Sequence, residues 1–300
     1  MSDAAIVPVA PPTAVRRTGL KFALSLVLGS PGGLCGVIIL SLFVIVAVLG
    51  PLLTFGDHME IHYLADKSVA RLLTPGQHAP LGTDYYGRDI YTQLILGTRT
   101  ALIVSIISTA FMAIVGTNIG LFAAYYGGRI DTLLMRITDL AFAVPFLPFA
   151  VILVVLLKPS LWNIIITISC LMWRTTARVI RAQALSVKQR TYVRAARVAG
   201  ASDLRIIFVH IFPNILPLSL LYVAFGISWA VLSEASLSFL GFGDPNTASW
   251  GQMLYNAYIS GSIRSAWWWT VPPGLCLTLF VIAVFLVGRE LETYINPRLR

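Results

Sequence analysis

Few residues of this 300-residue chain have the types and spacing that do chemistry. His58 and His62 stand four apart, as two metal ligands on one helix face would, but the sequence around them is loop-like and speaks against a metal site. Cys35, Cys170 and Cys276 lie far apart in apolar surroundings and match no metal or disulfide spacing, so they read as small buried hydrophobes. A phosphate-cradling Gly-x-x-x-x-Gly-Lys-Ser/Thr loop is missing, and no Gly-Lys pair occurs anywhere. The chain is therefore not expected to bind or hydrolyse ATP alone, and no cofactor is expected on it. Neither a His-Glu-x-x-His zinc site nor a Gly-x-Ser-x-Gly nucleophile elbow is present. What remains is a dense run of basic residues from Arg174 to Asn214 and two carboxylates, Asp139 and Glu234, set in apolar sequence.

The elements that must position these residues are long and apolar. Hydrophobic residues make up 57% of the chain and charged residues 12%. Soluble domains run at about 45–50% and about 25%. A soluble fold of this size could not hide that much apolar surface, whereas a bilayer solvates it. The net charge of +9 does not indicate nucleic acid, because the charges sit between apolar runs rather than on one basic domain. The apolar segment that follows the Pro- and Ala-rich first 20 residues continues past Leu49, so it reads as a retained span rather than a cleaved signal.

A spanning helix takes roughly 20 apolar residues. Six segments qualify: about Gly36 to Phe55, Thr100 to Tyr125, Thr138 to Leu157, Trp162 to Ile180, Ile215 to Leu240 and Trp269 to Gly288. The fourth is the weakest, since its charge-free stretch runs only from Pro159 to Trp173, and a five-span reading stays open. Charge placement favours six. With the N-terminus inside, the basic residues left outside are Lys67, Arg71, Arg88, Arg99, Lys158 and Arg264, and all others of the 22 lie inside, as the positive-inside rule asks. Dropping the fourth span would put the Arg-rich loop, or the N-terminus and first loop, on the wrong side. The runs lack period-2 alternation, so the predicted fold is an all-α polytopic membrane protein of six transmembrane helices. Trp267, Trp268 and Trp269 suit a headgroup interface, with packing inside the protein as the alternative. Pro145 and Pro148 should kink the third span.

A carboxylate at the bilayer centre costs about 2.5–3.5 kcal/mol on insertion scales, so Asp139 and Glu234 should face protein or water. Asp139 lies one turn from Arg136, and an i,i+3 ion pair is the favoured reading. Glu234 is either a structural contact with a neighbouring helix or outer loop, or a lining of a solute path.

The stretch from Arg190 to Asn214 reads as two short helices with a break. Tyr192 to Ala199 holds strong helix formers, and Gly200 is placed to end that helix in the left-handed conformation. Ser202 can cap the next helix, with Asp203 in its first turn. Pro213 should mark the start of the fifth span, where its missing N–H costs nothing. Ala195 and Ala196 leave one patch of the first helix free of bulk, fit to lie against another protein.

Arg194-Ala195-Ala196, Gly200 and His210-Ile211-Phe212-Pro213 resemble, in spacing, the "EAA" loop of ABC importer permeases. The first motif position, often Glu in that family, is Arg194 here. Leu81-Gly82-Thr83-Asp84 with Gly87-Arg88-Asp89, and Tyr125-Tyr126-Gly127-Gly128 with Asp131, are similar to the dipeptide/oligopeptide/nickel permease group. So are Glu234-Ala235 with Leu237-Ser238-Phe239-Leu240-Gly241, Ser249-Trp250-Gly251 and the terminal Asn296-Pro297-Arg298-Leu299. The resemblance implies a type I importer permease. Residues 1–98 would be a cytoplasmic tail, first span and outer loop, 99–288 the permease domain with a coupling loop at 181–213, and 289–300 a cytoplasmic tail. Tyr192, Arg194, Ala195, Ala196, Gly200, Ala201 and Pro213 would form the loop that couples the chain to an ATPase. The implied partners are a homologous permease subunit, two cytoplasmic ATP-binding subunits that carry ATP and Mg, an extracytoplasmic substrate-binding protein and the lipid of the inner membrane. The solute would be a peptide, with oligosaccharide, nickel or glutathione as alternatives. Two rivals fit less well. An ion-driven transporter needs converging polar groups at mid-membrane, and a membrane enzyme needs a nucleophile–base or metal constellation.

Overall fold

The computed structural model describes residues 27–54, 56–76 and 79–295, with side chains described to residue 292. Arg16, Arg17, Lys21 and the terminal Asn296-Pro297-Arg298-Leu299 motif lie outside the described residues. Helix α1 runs Pro31–Leu53, and its Ser30 N-cap accepts the Gly33 N–H at 3.0 Å. Helix α2, Ile90–Tyr126, opens on Asp89, whose carboxylate accepts the N–H groups of Tyr91 and Thr92. Helices α3, Gly128–Ala143, and α4, Phe146–Leu157, follow, then α5, Leu161–Lys188, and the short α6, Thr191–Val198. Helix α7 is continuous over Asp203–Phe242, and α8, Trp250–Ile259, and α9, Trp267–Ile295, complete the chain.

Four of these, α1, α2, α7 and α9, are long and apolar enough to cross a membrane, and α3 with α4 makes a fifth if counted as one broken span. Helix α5 falls short on composition, not length: its 28 residues reach about 42 Å at about 1.5 Å each. Six spans are thus compatible with the fold, and the reason for the polarity of α5 is tertiary. Its apolar face is covered by α2, where Gly116 and Gly120 let the two backbones meet. A Cβ at Gly116 would stand 2.7 Å from the Trp173 carbonyl oxygen, and one at Gly120 2.6 Å from that of Ala177. This is the small-x-x-x-small packing that replaces the hydrophobic drive inside lipid. The arginines of α5 are spent on other groups of the same chain, described below.

Several expectations need correction. The cysteines are not buried: Cys35 and Cys170 are exposed and Cys276 is half-buried. The prolines do not kink the third span but break it: α3 and α4 meet at 87°. Pro213 does not begin the fifth span, because α7 starts ten residues earlier at Asp203. Pro213 offers no N–H to the carbonyl four residues back, and the chain just before it widens instead, with the Phe212 N–H bonded to the Ile207 carbonyl five residues behind. The Trp run is not an interface belt throughout. Trp267 is 61% exposed, but Trp269 is fully buried with Trp250, Phe43 and Phe280 in the core that joins α1, α2, α8 and α9.

Residues 56–76 and 79–89 form a small knob at one end of the bundle, tied by isolated antiparallel bridges such as Ile61 to Arg88. Its centre is Asp84, fully buried, which accepts the N–H groups of Tyr86 and Arg88, the Arg88 Nε at 2.8 Å and the Gln93 amide at 3.1 Å. Thr83 adds a clasp, donating its hydroxyl to the Ala70 carbonyl and accepting the Leu73 N–H. Trp250 then locks this end to α2, donating its indole N–H to the Leu94 carbonyl over Gly97. The Leu-Gly-Thr-Asp, Gly-Arg-Asp and Ser-Trp-Gly motifs thus hold the end of the bundle opposite the Arg-rich loop.

Candidate functional site

The Arg-rich end is built around α6. Arg190 precedes the helix in extended conformation, and Gly200 ends it at φ +80. The Gly200 N–H donates to the Arg197 carbonyl and the Ala201 N–H to the Ala196 carbonyl, each at 3.0 Å. That pair of bonds is a Schellman closure, which needs a left-handed residue at its corner. Open space surrounds Gly200, so only its φ requires glycine there. One residue of α6 is buried, Val193, which packs with Leu121, Ile180, Ile206 and Ile211 from α2, α5 and α7. Every other side is free or nearly so: Tyr192 is 43% and Val198 90% exposed, Arg194 and Ala195 are exposed, and Ala196 is half-buried.

Polar contacts tie α6 to the end of α5 and to Tyr125 of α2, and lace α2, α5 and α7 together beneath it. Arg194 turns back and donates Nε and Nη2 to the Gln189 carbonyl at the end of α5, at 3.2 and 2.9 Å. A cation there also meets the negative end of the helix dipole. The residue that departs from the family pattern therefore has a structural job. Lys188 donates to the Ala124 and Tyr125 carbonyls at the end of α2. Tyr125 donates its hydroxyl to Asp203, at the start of α7, at 2.5 Å, and the Arg197 guanidinium lies 5.5 Å from its ring centre. Ser202 makes no side-chain cap, contrary to the sequence reading. Asp203 is taken by Tyr125 rather than left to the helix end alone. Sequence reasoning missed Tyr125, Lys188 and Arg181 as anchors, although Tyr125 and Asp131 stand in a motif it had singled out.

Helix α3 is tied to α5 by a ladder of charges. Arg181 holds Asp131 with Nε and Nη2 at 2.5 and 2.6 Å, a bidentate fork. Asp139 bonds Arg178 at 2.8 Å, not Arg136 as expected. The reason is that α5 presents Arg178 and Arg181, three apart, to the side of α3 that carries Asp131 and Asp139, eight apart. Glu234 lies far from this ladder, 3% exposed near the knob end of α7. It accepts the Ser238 hydroxyl at 2.7 Å, with Ser249, the N-cap of α8, as a further partner. Pro213 is remote from α6 in role, within α7 beyond its widened turn. Of the predicted residues, then, Tyr192, Arg194, Ala195, Ala196, Gly200 and Ala201 come together on one short helix and its closure, while Pro213, Asp139 and Glu234 do not join them.

A bundle of long apolar helices with one short helix held at one end defines a polytopic membrane component. Residues 116–300 match the family described as binding-protein-dependent transport system inner membrane component. A protein of Brucella suis named as a peptide transport system permease is 38% identical over 88% of this chain and 87% of its own length. The di/tripeptide transport system permease protein DppC of Pseudomonas aeruginosa is 34% identical over 98% of this chain and 97% of its own. A chain from a structure of the inward-facing MetNI methionine ABC transporter shares the fold, with a TM-score of 0.54 at 19% identity, over 69% of this chain and 97% of that one. The chain belongs to the binding-protein-dependent inner membrane component family and is an ABC importer permease subunit.

Proposed function

We propose that this permease carries peptides and that α6 is its contact with the ATPase. The observation that carries the reading is the mounting of α6: one buried residue, Val193, set among side chains of α2, α5 and α7, and polar ties from Arg194 to the end of α5 and from Arg197 to the Tyr125 ring of α2, with the remaining face open. A helix so mounted transmits a push to the whole bundle, because three long helices end at its base. The Arg-rich end is then cytoplasmic, with both termini on that side, and the knob faces outward. A homologous permease subunit completes the path, two ATP-binding subunits supply ATP and Mg, and an extracytoplasmic binding protein delivers the solute. ATP binding closes the ATPase pair and turns the path from inward to outward, an alternation between two packings of the same helices. This chain holds no nucleotide and catalyses no hydrolysis. The names of the curated relatives support peptides as the solute class.

Reconstitution of the full complex in liposomes tests the reading. Ala195→Trp adds bulk on the exposed face of α6 without touching Val193. It should leave the permease folded and inserted while peptide uptake and binding-protein-stimulated ATP hydrolysis fall at least tenfold. Unchanged hydrolysis would sink the assignment of α6.

A further inference from the structure

In a continuous helix the nitrogen of Pro145 would donate to the Ala141 carbonyl and that of Pro148 to the Val144 carbonyl, each four residues back. Neither nitrogen carries a hydrogen. The helix stops at Ala143, Val144 is extended at φ −84 and ψ 119, and α4 restarts at Phe146. The two carbonyls that the prolines leave without a helical donor are the two that Arg174 takes. Its Nη1 donates to the Ala141 carbonyl and, at 3.1 Å, to that of Val144. One amino group has two hydrogens, and each finds one orphaned oxygen. In lipid, where water cannot satisfy a free carbonyl, broken backbone persists only with such a substitute. The same guanidinium lies 5.1 Å from the Phe142 ring centre, which Arg178 approaches to 4.0 Å.

The two half-helices dock on different stretches of α5. Helix α3 is held by Arg178 and Arg181 towards the Arg-rich end. Helix α4 packs through Ala150 and Val154 in the core with Ile164, Ile168 and Met172 of α5 and Ala230 of α7. Arg174 stands between these two stretches. We propose that Arg174, Pro145 and Pro148 form one built-in pivot, with Arg174 as its positioning residue, and that transport needs the third span to be two bodies. One body moves with the Arg-rich end, the other with the knob end, and a straight span would force both to move together. The last step rests on the transport reading above; the pairing of Arg174 with the prolines does not.

A set of variants of the full chain in nanodiscs separates the two. Arg174→Leu should lower the melting temperature and the folded yield, and Arg174→Lys should recover most of that loss. In a Pro145→Ala/Pro148→Ala background the restored N–H groups should make Arg174→Leu nearly harmless. An equal loss in both backgrounds would overturn the pairing. Spin labels at the exposed positions Leu133 and Ile152 should lie farther apart in the triple variant than in the wild type, and an unchanged distance would count against a break set by the prolines. In proteoliposomes with the partner subunits, uptake from a di- and tripeptide mixture, followed by mass spectrometry, should fall at least tenfold per ATP hydrolysed in the folded triple variant. Full uptake would overturn the need for a pivot. A wild-type complex that shows no ATP-driven uptake would instead sink the transport reading, with the melting data still deciding the pairing.

Discussion

Arg194 shows how one side chain can change the meaning of a motif. The family position is often acidic, yet here a guanidinium reaches the Gln189 carbonyl with two hydrogen bonds. Arg194→Glu would set a carboxylate against that carbonyl and against the negative end of α5. We expect faster hydrogen exchange across residues 189–199 in this variant, and wild-type protection in Arg194→Lys. Tyr125→Phe removes the 2.5 Å bond to Asp203 and should cost about 1.5–3 kcal/mol, the usual range for a bond to a charged group. Denaturant unfolding in detergent measures that. At the other end, Asp84→Ala leaves the Arg88 guanidinium and the Gln93 amide without their shared acceptor in a site where Asp84 is fully buried. Breaking such a pair costs about 3–5 kcal/mol, so proteolysis should cut within residues 56–89 while the helices stay intact. These residues were legible in the sequence only as motif letters. Which atom each one bonds depends on partners up to 78 positions away, as between Tyr125 and Asp203, and no local pattern carries that.

At the scale of the element, the least convincing span of the sequence is among the best packed. Helix α5 buries Ile164, Ile168, Ala177, Ile180 and Ala184 completely or nearly so, chiefly under α2 and α7. Hydropathy undervalues such a helix, because Arg174, Arg178 and Arg181 are met within the same chain by two freed carbonyls, Asp139 and Asp131. Gly116→Leu or Gly120→Leu should force α2 and α5 apart, and overpacking of this kind costs about 1–3 kcal/mol. Loss of monodisperse protein in detergent, relative to Gly274→Leu, whose Cβ would meet nothing within 4 Å, is the readout. Helix α6 was the element read best: eight residues, Gly200 in left-handed conformation and one face bare, each from local chemistry. Helix α7 was read less well, because a proline usually starts a helix and here the chain accommodates it by widening one turn.

For the whole molecule the question is which side each end faces. Val198, 90% exposed on α6, and Lys67 in the knob sit at opposite ends of the bundle. Cysteine replaced at Val198 should react with an impermeant maleimide only after the membrane is opened from the cytoplasmic side, and one at Lys67 should react from outside. Reversed labelling would invert the proposed topology. By itself the sequence determined the all-α membrane class, the short helix with its glycine closure and the family, because each depends on composition or on residues close together in the chain. Only the tertiary structure decided that the third span is broken, that Asp139 pairs with Arg178, that Trp269 is core, and that Arg174 replaces the donors two prolines lack. Those outcomes follow from which helices face one another, and helix contacts join residues 30 or more positions apart.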